Sequence, residues 1–315
     1  MIVRWGLDAL PGVLDELQIR NPLLVASPRW ADTRLPISQS ATWSEVPSHR
    51  IGGAAEKAGG GVVAVGGGSA IDLGKAISAQ AEVPVVSVPT TYAGAEWTAY
   101  YGIRDPDRKM KGGGAGAHLA AAIYEPELTL SLAREETVGT AMNALAHCAE
   151  ALYVKGHNPA ADAHALGGAT LIGEWLPRVV DAPQDLDART HLLEGAMHAG
   201  AALGGSMLAL GHAMAQALGG RYGLPHGAMN ALCLPAALRF NDEVAPDAVQ
   251  RFREAVGVDI RELAKLGGFE RLRDFNVPEE DLAEVAAATV ERAGAKANPR
   301  PASPADVEEL LHSIY

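Results

Sequence analysis

Two cysteines in 315 residues, Cys148 and Cys233, are too few for a disulfide framework, and both fall in apolar, helix-patterned surroundings. They are expected to be buried thiols of a protein from a reducing compartment. Long hydrophobic runs are missing as well, since no uninterrupted apolar stretch approaches the roughly 18 residues of a membrane span. The first ten residues carry Arg4 and Asp8 rather than the apolar core of a signal peptide, so the expectation is a cytoplasmic protein. Basic charge is scarce. With 26 Lys and Arg against 38 Asp and Glu, the net charge is -12, which argues against nucleic acid and anionic membranes as partners and leaves a small-molecule substrate. No G-x-S-x-G, Walker A, CxxC or GxGxxG pattern is present, and no internal repeat is evident.

What is present is globular: 48% hydrophobic and 20% charged residues, with length enough for two domains. Residues 62–98 organise the rest. The β-branched run at 62–65 has the pattern of a strand buried on both faces, and Gly66, Gly67, Gly68 and Ser69 follow at once. An apolar helical spacing then begins at Ile71. Strand, glycine turn and helix start make an anion site, because glycines admit close approach and the helix dipole faces the anion. A ligand-free tight turn also selects glycine; Ser69 and Asp72 favour phosphate, whereas Lys75, two turns in, can equally cover the rim of the sheet. A second run at 83–88 predicts a neighbouring parallel strand ending at Thr90 and Thr91, where sheet loops carry ligand contacts.

Residues 1–132 alternate apolar runs with helical patterns, predicting βα units: a helix at 10–17, strands at 23–25 and 41–46, a helix at 52–58 and a last strand at 121–124. The glycine cluster at 112–116, after Lys109 and Lys111, reads as a mobile loop. From 133 to 315 the period is helical, with helices expected over 138–153, 160–175, 190–216, 227–240, 247–256, 260–267, 279–293 and 304–315. Ser303 before Pro304 predicts an N-cap.

The helical half holds an ordered polar set. Asn143 and His147 are four apart on one helix face, His212 and Gln216 repeat that spacing, and His226 follows Pro225. Taken singly, a histidine is more often a satisfied core or surface residue, and His49, His118, His157, His164, His191, His198 and His312 are read so. Unpaired imidazoles in apolar helices are costly, which sets His147, His212 and His226 apart. They fit two chemistries: a divalent metal site (iron or zinc) with Asn143 as a neutral fourth ligand, or a metal-free pocket of donors for an anionic substrate. Metals usually take a charged ligand, which favours the second. Lys109, Arg300 and Gln216 are further candidates for substrate contact; Arg300, in a rigid Asn-Pro-Arg-Pro segment, suits a bidentate carboxylate clamp. Cys148 points away from His147 around the helix, against a Cys–His nucleophile pair.

GGGSAIDLGKAIS, VPTTYAGAEWT, MNALAHCAEALY, GHAMAQALGGRYGLPHG and ANPRP occur in the order and approximate spacing of the iron-containing alcohol dehydrogenase superfamily, and within it the chain most resembles the maleylacetate reductases. The resemblance implies an α/β, Rossmann-like N-terminal domain (1–132) and an all-helical C-terminal domain (133–315), the fold shared with dehydroquinate synthase, with the active site in the cleft. It also implies NADH or NADPH and commonly a homodimer. The metal ligands of metal-dependent relatives, an Asp and three His, match Asn143, His147, His212 and His226, and the Asp-to-Asn change is shared with the metal-free maleylacetate reductases. Departures are Gln216 where the family often has His, Gly211 and Asn230 where maleylacetate reductases usually have His, and a shortened stretch before the glycine turn. The expected activity is reduction of an unsaturated oxo-dicarboxylate, with Gly66–Ser69, Asp72, Thr90 and Thr91 on the nucleotide. The alternatives are a metal-dependent alcohol dehydrogenase, a dehydroquinate synthase-like lyase and a non-catalytic nucleotide-binding protein.

Overall fold

The apolar runs of the N-terminal part become strands whose alternate residues feed two separate cores. The computed structural model describes residues 1–33, 35–107 and 109–315, and the chain divides into two units, Met1–Thr129 and Leu130–Tyr315. In the first unit the order is β1 (Ile2–Trp5), α1 (Leu10–Glu16), β2 (Leu23–Ala26), α2 (Pro28–Ala31), β3 (Ala41–Trp43), α3 (Ile51–Ala55), β4 (Val62–Gly66), α4 (Gly68–Ala81), β5 (Pro84–Pro89), β6 (Tyr101–Arg104), β7 (Met110–Gly114) and β8 (His118–Tyr124). Six strands form one parallel sheet in the order β1-β8-β5-β4-β2-β3. Leu24, Val63, Val65, Val86 and Ile123 face a core with Leu10 and Val13 of α1. Leu23, Val25, Val62, Ala64 and Val85 face the other, with Leu73 and Ile77 of α4. The period of two along each strand produces this two-sided burial.

From β2 the chain steps to β3 on one side and then to β4 on the other, so the strand order reverses between β2 and β4. Open α/β sheets bind ligands at the carboxyl ends of strands flanking such a reversal. The glycine turn lies there, at the end of β4.

Two expectations fail in this unit. The edge strand β1 was not anticipated; it pairs with β8, Ile2 opposite Ala121. The glycines at 112–116 are not a loop but largely β7, antiparallel to β6. A Cβ on Gly113 would lie 2.7 Å from the Tyr101 carbonyl oxygen, so the close approach of β6 selects glycine rather than flexibility.

The second unit comprises α5 (Arg134–Tyr153), α6 (Pro159–Asp181), α7 (Leu186–Gly204), α8 (Leu210–Tyr222), α9 (His226–Asn241), α10 (Pro246–Val256), α11 (Ile260–Lys265), α12 (Leu282–Val290), α13 (Ala293–Ala297) and α14 (Pro304–His312). Its central helix α5 packs against α6, α7 and α9 and is buried on all sides from Thr137 to Tyr153 except at Thr140. Such a helix holds polar groups only where they find partners. The single helix expected over 190–216 is two, α7 and α8, interrupted at the Gly204-Gly205-Ser206 stretch. The stretch 279–293 is likewise divided, a 3₁₀ turn at Glu279–Asp281 preceding α12, with Arg292 extended before α13. Ser303 caps α14 in a capping box with Asp306. Cys148 and Cys233 are fully buried, and burial pushes both thiols up. No helix among the described residues is long and apolar enough to cross a membrane.

Candidate active site

In the first unit the chain passes from β4 to α4 through three glycines, two of them closely packed and the third open. Gly66 has φ +148°, and a Cβ there would meet the Ala70 Cβ at 2.8 Å. One on Gly67 would meet Thr91 Cγ2 at 2.9 Å. Gly67 is the N-cap of α4 and brings no side-chain acceptor to its first N–H groups, while a Cβ on Gly68 would have only Ala93 near it, at 4.0 Å. Open space beside an uncapped helix N-terminus is the form of an anion site. Thr90 and Thr91 are buried beside it, and the Thr90 N–H donates to the Gly66 carbonyl at 3.0 Å.

Three sequence-derived candidates prove to be committed elsewhere. Asp72 does not face the bend: its Oδ1 lies 2.7 Å from Lys75 Nζ and its Oδ2 accepts the Gly102 N–H at 3.0 Å. Lys75 is 1% exposed rather than on the rim, donating also to the carbonyls of Ala95 (2.8 Å) and Tyr100 (2.7 Å) and to Thr98 Oγ1 (3.2 Å). Arg300 is not an open clamp. Its Nη1 donates to the Phe240 carbonyl at 3.0 Å and pairs with Glu243 at 2.9 Å, and the guanidinium covers the Phe240 ring at 4.0 Å. Lys109 is exposed in the turn between β6 and β7, where its backbone N–H donates to Asp105 Oδ1. Gln216 is half-buried on α8, one turn beyond His212.

In the second unit His147, His212 and His226 come together. The rings of His147 and His212 stack with centroids 4.7 Å apart and planes at 11°, and His226 lies 5.7 Å from His212. His212 occupies the first turn of α8, and His226 opens α9. His212 Nε2 is 3.2 Å from Asn143 Oδ1, which also accepts from Asn230 Nδ2 at 2.8 Å. Asn230 Nδ2 reaches His226 Nε2 at 3.0 Å as well.

Two members of this network were missed by sequence reasoning. Glu150, fully buried one turn beyond His147 on α5, takes three donors: the backbone N–H of Ala209 (2.6 Å) and of His212 (2.9 Å), and His212 Nδ1 (2.8 Å). The signal available was a carboxylate within the apolar run of 144–153, which burial forces to find partners. Asn230, fully buried on α9, had been noted only as a departure from the resembling family. The remaining histidines behave as the simpler reading holds: His164 Nδ1 meets His198 Nδ1 at 2.8 Å, His191 stacks on Trp175, and His49 and His118 are exposed.

Glu150 accepts, so His212 Nδ1 carries a proton; Asn143 Oδ1 also accepts, so Nε2 is a donor too. A ring with an acceptor at both nitrogens is held in one orientation. His147 is held well below the usual imidazole range, by burial first and then by His212 and His226. Its Nδ1, like Asn230 Oδ1, is buried without a partner within the protein. Asn143 Oδ1 and His226 Nε2 are both met by the amide N–H₂ group of Asn230, and Glu150, a carboxylate in contact with the set, accepts three hydrogen bonds. No group of three or more His, Cys, Asp or Glu among the described residues is arranged to hold a metal ion.

A parallel sheet with a glycine bend at its reversal, followed by an all-helical unit carrying a buried imidazole set, is the plan of a nicotinamide-dependent oxidoreductase. Comparison with known proteins agrees: residues 137–315 match the Fe-containing alcohol dehydrogenase family, C-terminal, and residues 45–125 match iron-containing alcohol dehydrogenase. The chain belongs to the iron-containing alcohol dehydrogenase family. It is 38% identical over 259 residues to a maleylacetate reductase of Burkholderia cepacia, covering 80% of this chain and 73% of the relative. With the maleylacetate reductase of Pseudomonas knackmussii the identity is 35% over 300 residues, covering 89% and 85%. The crystal structure of maleylacetate reductase from a Rhizobium species superposes with a TM-score of 0.88 at 29% identity, over 100% of this chain and 95% of that one.

Proposed function

We propose that this enzyme reduces the carbon–carbon double bond of an unsaturated oxo-dicarboxylate of the maleylacetate type to the saturated 3-oxoadipate, without a metal, as a step in the breakdown of aromatic compounds. The observation that carries the reading is the buried His212, with an acceptor at each ring nitrogen, stacked on a neutral His147. The similarity to maleylacetate reductases supports the substrate class.

Gly66, Gly67, Gly68 and Ser69 would hold the pyrophosphate of NADH or NADPH, with Thr90 and Thr91 beside it. A nicotinamide dinucleotide held there would supply the hydride that the alkene carbon β to the ketone accepts. The π electrons shift to the ketone oxygen, and the carbon between them takes a proton to complete the reduction. His212 Nε2–H would stabilise the enolate and then deliver the proton. Asn143 Oδ1 orients that N–H, and His147 and His226 meet the substrate's carboxylates. The family's name implies iron, but the residues here fit a divalent cation poorly. The amide of Asn230 already occupies the lone pairs a cation would need, and Asn143 brings no charge. The enzyme is taken to act in the cytoplasm as a homodimer.

The test is a spectrophotometric screen of maleylacetate and simple aldehydes with each cofactor, followed by product analysis with C4-deuterated NADH. Deuterium on the carbon β to the ketone is the expected result. Label on a carbinol carbon, or turnover confined to simple aldehydes, overturns the reading.

A further inference from the structure

We infer that Glu150 is the positioning residue of the reaction, fixing both the ring of His212 and the site of its proton. The inference rests on the proposed role of His212 as proton donor. Three donors converge on this fully buried carboxylate, and two of them, the backbone N–H and Nδ1, belong to His212 itself. The third, Ala209 N–H, is the N-cap amide of α8. Glu150 thus ties the start of α8 and the ring it carries to α5 in a single contact. A carboxylate at a helix N-terminus is stabilised as the anion. Its oxygen accepts from Nδ1 at 2.8 Å, which leaves Nε2 as the ring nitrogen turned toward Asn143. Oriented second carboxylates raise the basicity of histidines and fix their tautomer.

The backbone is shaped for this contact. A Cβ on Gly211 would stand 2.9 Å from Glu150 Oε1, so the helix start admits the carboxylate only because residue 211 has no side chain. A capping role alone would explain the two backbone donors but not the ring nitrogen at 2.8 Å.

Glu150→Gln separates the two roles, because glutamine keeps the volume and a carbonyl acceptor for the cap but loses the charge and can present N–H₂ to the ring. With maleylacetate and NADH, kcat is expected to fall about 100-fold or more, by analogy with other carboxylate–histidine pairs, while KM for NADH stays within about twofold. In the His212→Ala background the same change should have no further effect. A Glu150→Gln enzyme with wild-type kcat, or one whose loss is equally large in the His212→Ala background, overturns the inference. If Glu150→Gln does not fold, ¹⁵N-histidine NMR of the wild type decides: a hydrogen-bonded proton on His212 Nδ1, absent in His212→Ala, is expected, and a ring bare at Nδ1 contradicts it. Full turnover by His212→Ala overturns the proposed function as well; loss there with an unaffected Glu150→Gln overturns this inference alone.

Discussion

His147 and His212 lie ring on ring, 4.7 Å between centroids, yet only His212 has a carboxylate partner. Enclosed at 5% exposure and without a counter-charge of its own, the His147 ring stays neutral. His147 is depressed first by burial and then by its neighbours. His198, facing His164 across 2.8 Å, is lowered by burial and then by His164, with Glu194 opposing. A depressed histidine takes its proton in the unfolded chain first. Stability is therefore complete above the ordinary value of 6.5 and is lost as pH falls from there through the lower folded values. Thermal unfolding midpoints measured from pH 8 to 5 should drop below about 6.5, and His198→Asn should make that drop shallower. A midpoint that rises toward pH 5 would show the sign to be wrong.

Gly211→Ala places a methyl against Glu150 Oε1 and, at 3.2 Å, against the Ala237 Cβ. Overpacking at such a site costs about 1–3 kcal/mol, and the displaced carboxylate releases His212. Denaturant unfolding should register that loss of stability. The reductase assay should show kcat lowered by about tenfold or more, within the range found when the groups supporting a reactive histidine are disturbed. Wild-type behaviour in both assays would mean that the start of α8 tolerates a side chain.

Gly68→Val probes the bend without touching the core, because only Ala93 is near the added Cβ. The unfolding midpoint should stay close to wild type, while KM for NADH rises about tenfold or more if the branched side chain fills the proposed phosphate space. An unaltered KM would remove Gly68 from the nucleotide site.

Lys75→Met leaves Asp72 and the carbonyls of Ala95 and Tyr100 without their buried ammonium. Removing one partner from a buried charged pair costs about 3–5 kcal/mol, and denaturant unfolding should show a loss of that order. A loss under about 1 kcal/mol, the scale of an exposed pair, would mean the loop at 95–100 is held by other contacts.

The parts of the protein legible in its sequence are those where one local rule dominates. The run at 62–65, all β-branched or small and followed by three glycines, specifies a buried strand and a glycine turn with no help from distant residues. Asn143 and His147 declare a shared face through the helical period. What was hidden depends on contacts across the chain. Glu150 shows no role in the sequence until α5 is seen to be enclosed on all sides, and Arg300 reads as a carboxylate clamp until Glu243 and the Phe240 carbonyl meet it. The break between α7 and α8 was signalled by Gly204-Gly205-Ser206, but an apolar pattern running through it masked the interruption. The glycines of β7 resemble a loop in the sequence because the strand that excludes their side chains lies elsewhere in the chain.

The central claim is that an amide-bound imidazole network, rather than a cation, stabilises the enolate. Its most direct test is the rate of NADH oxidation with maleylacetate by chelator-stripped enzyme, before and after one equivalent of iron or zinc. The account predicts full turnover in the stripped enzyme and no gain on adding metal. An inactive stripped enzyme that recovers with either ion would contradict it.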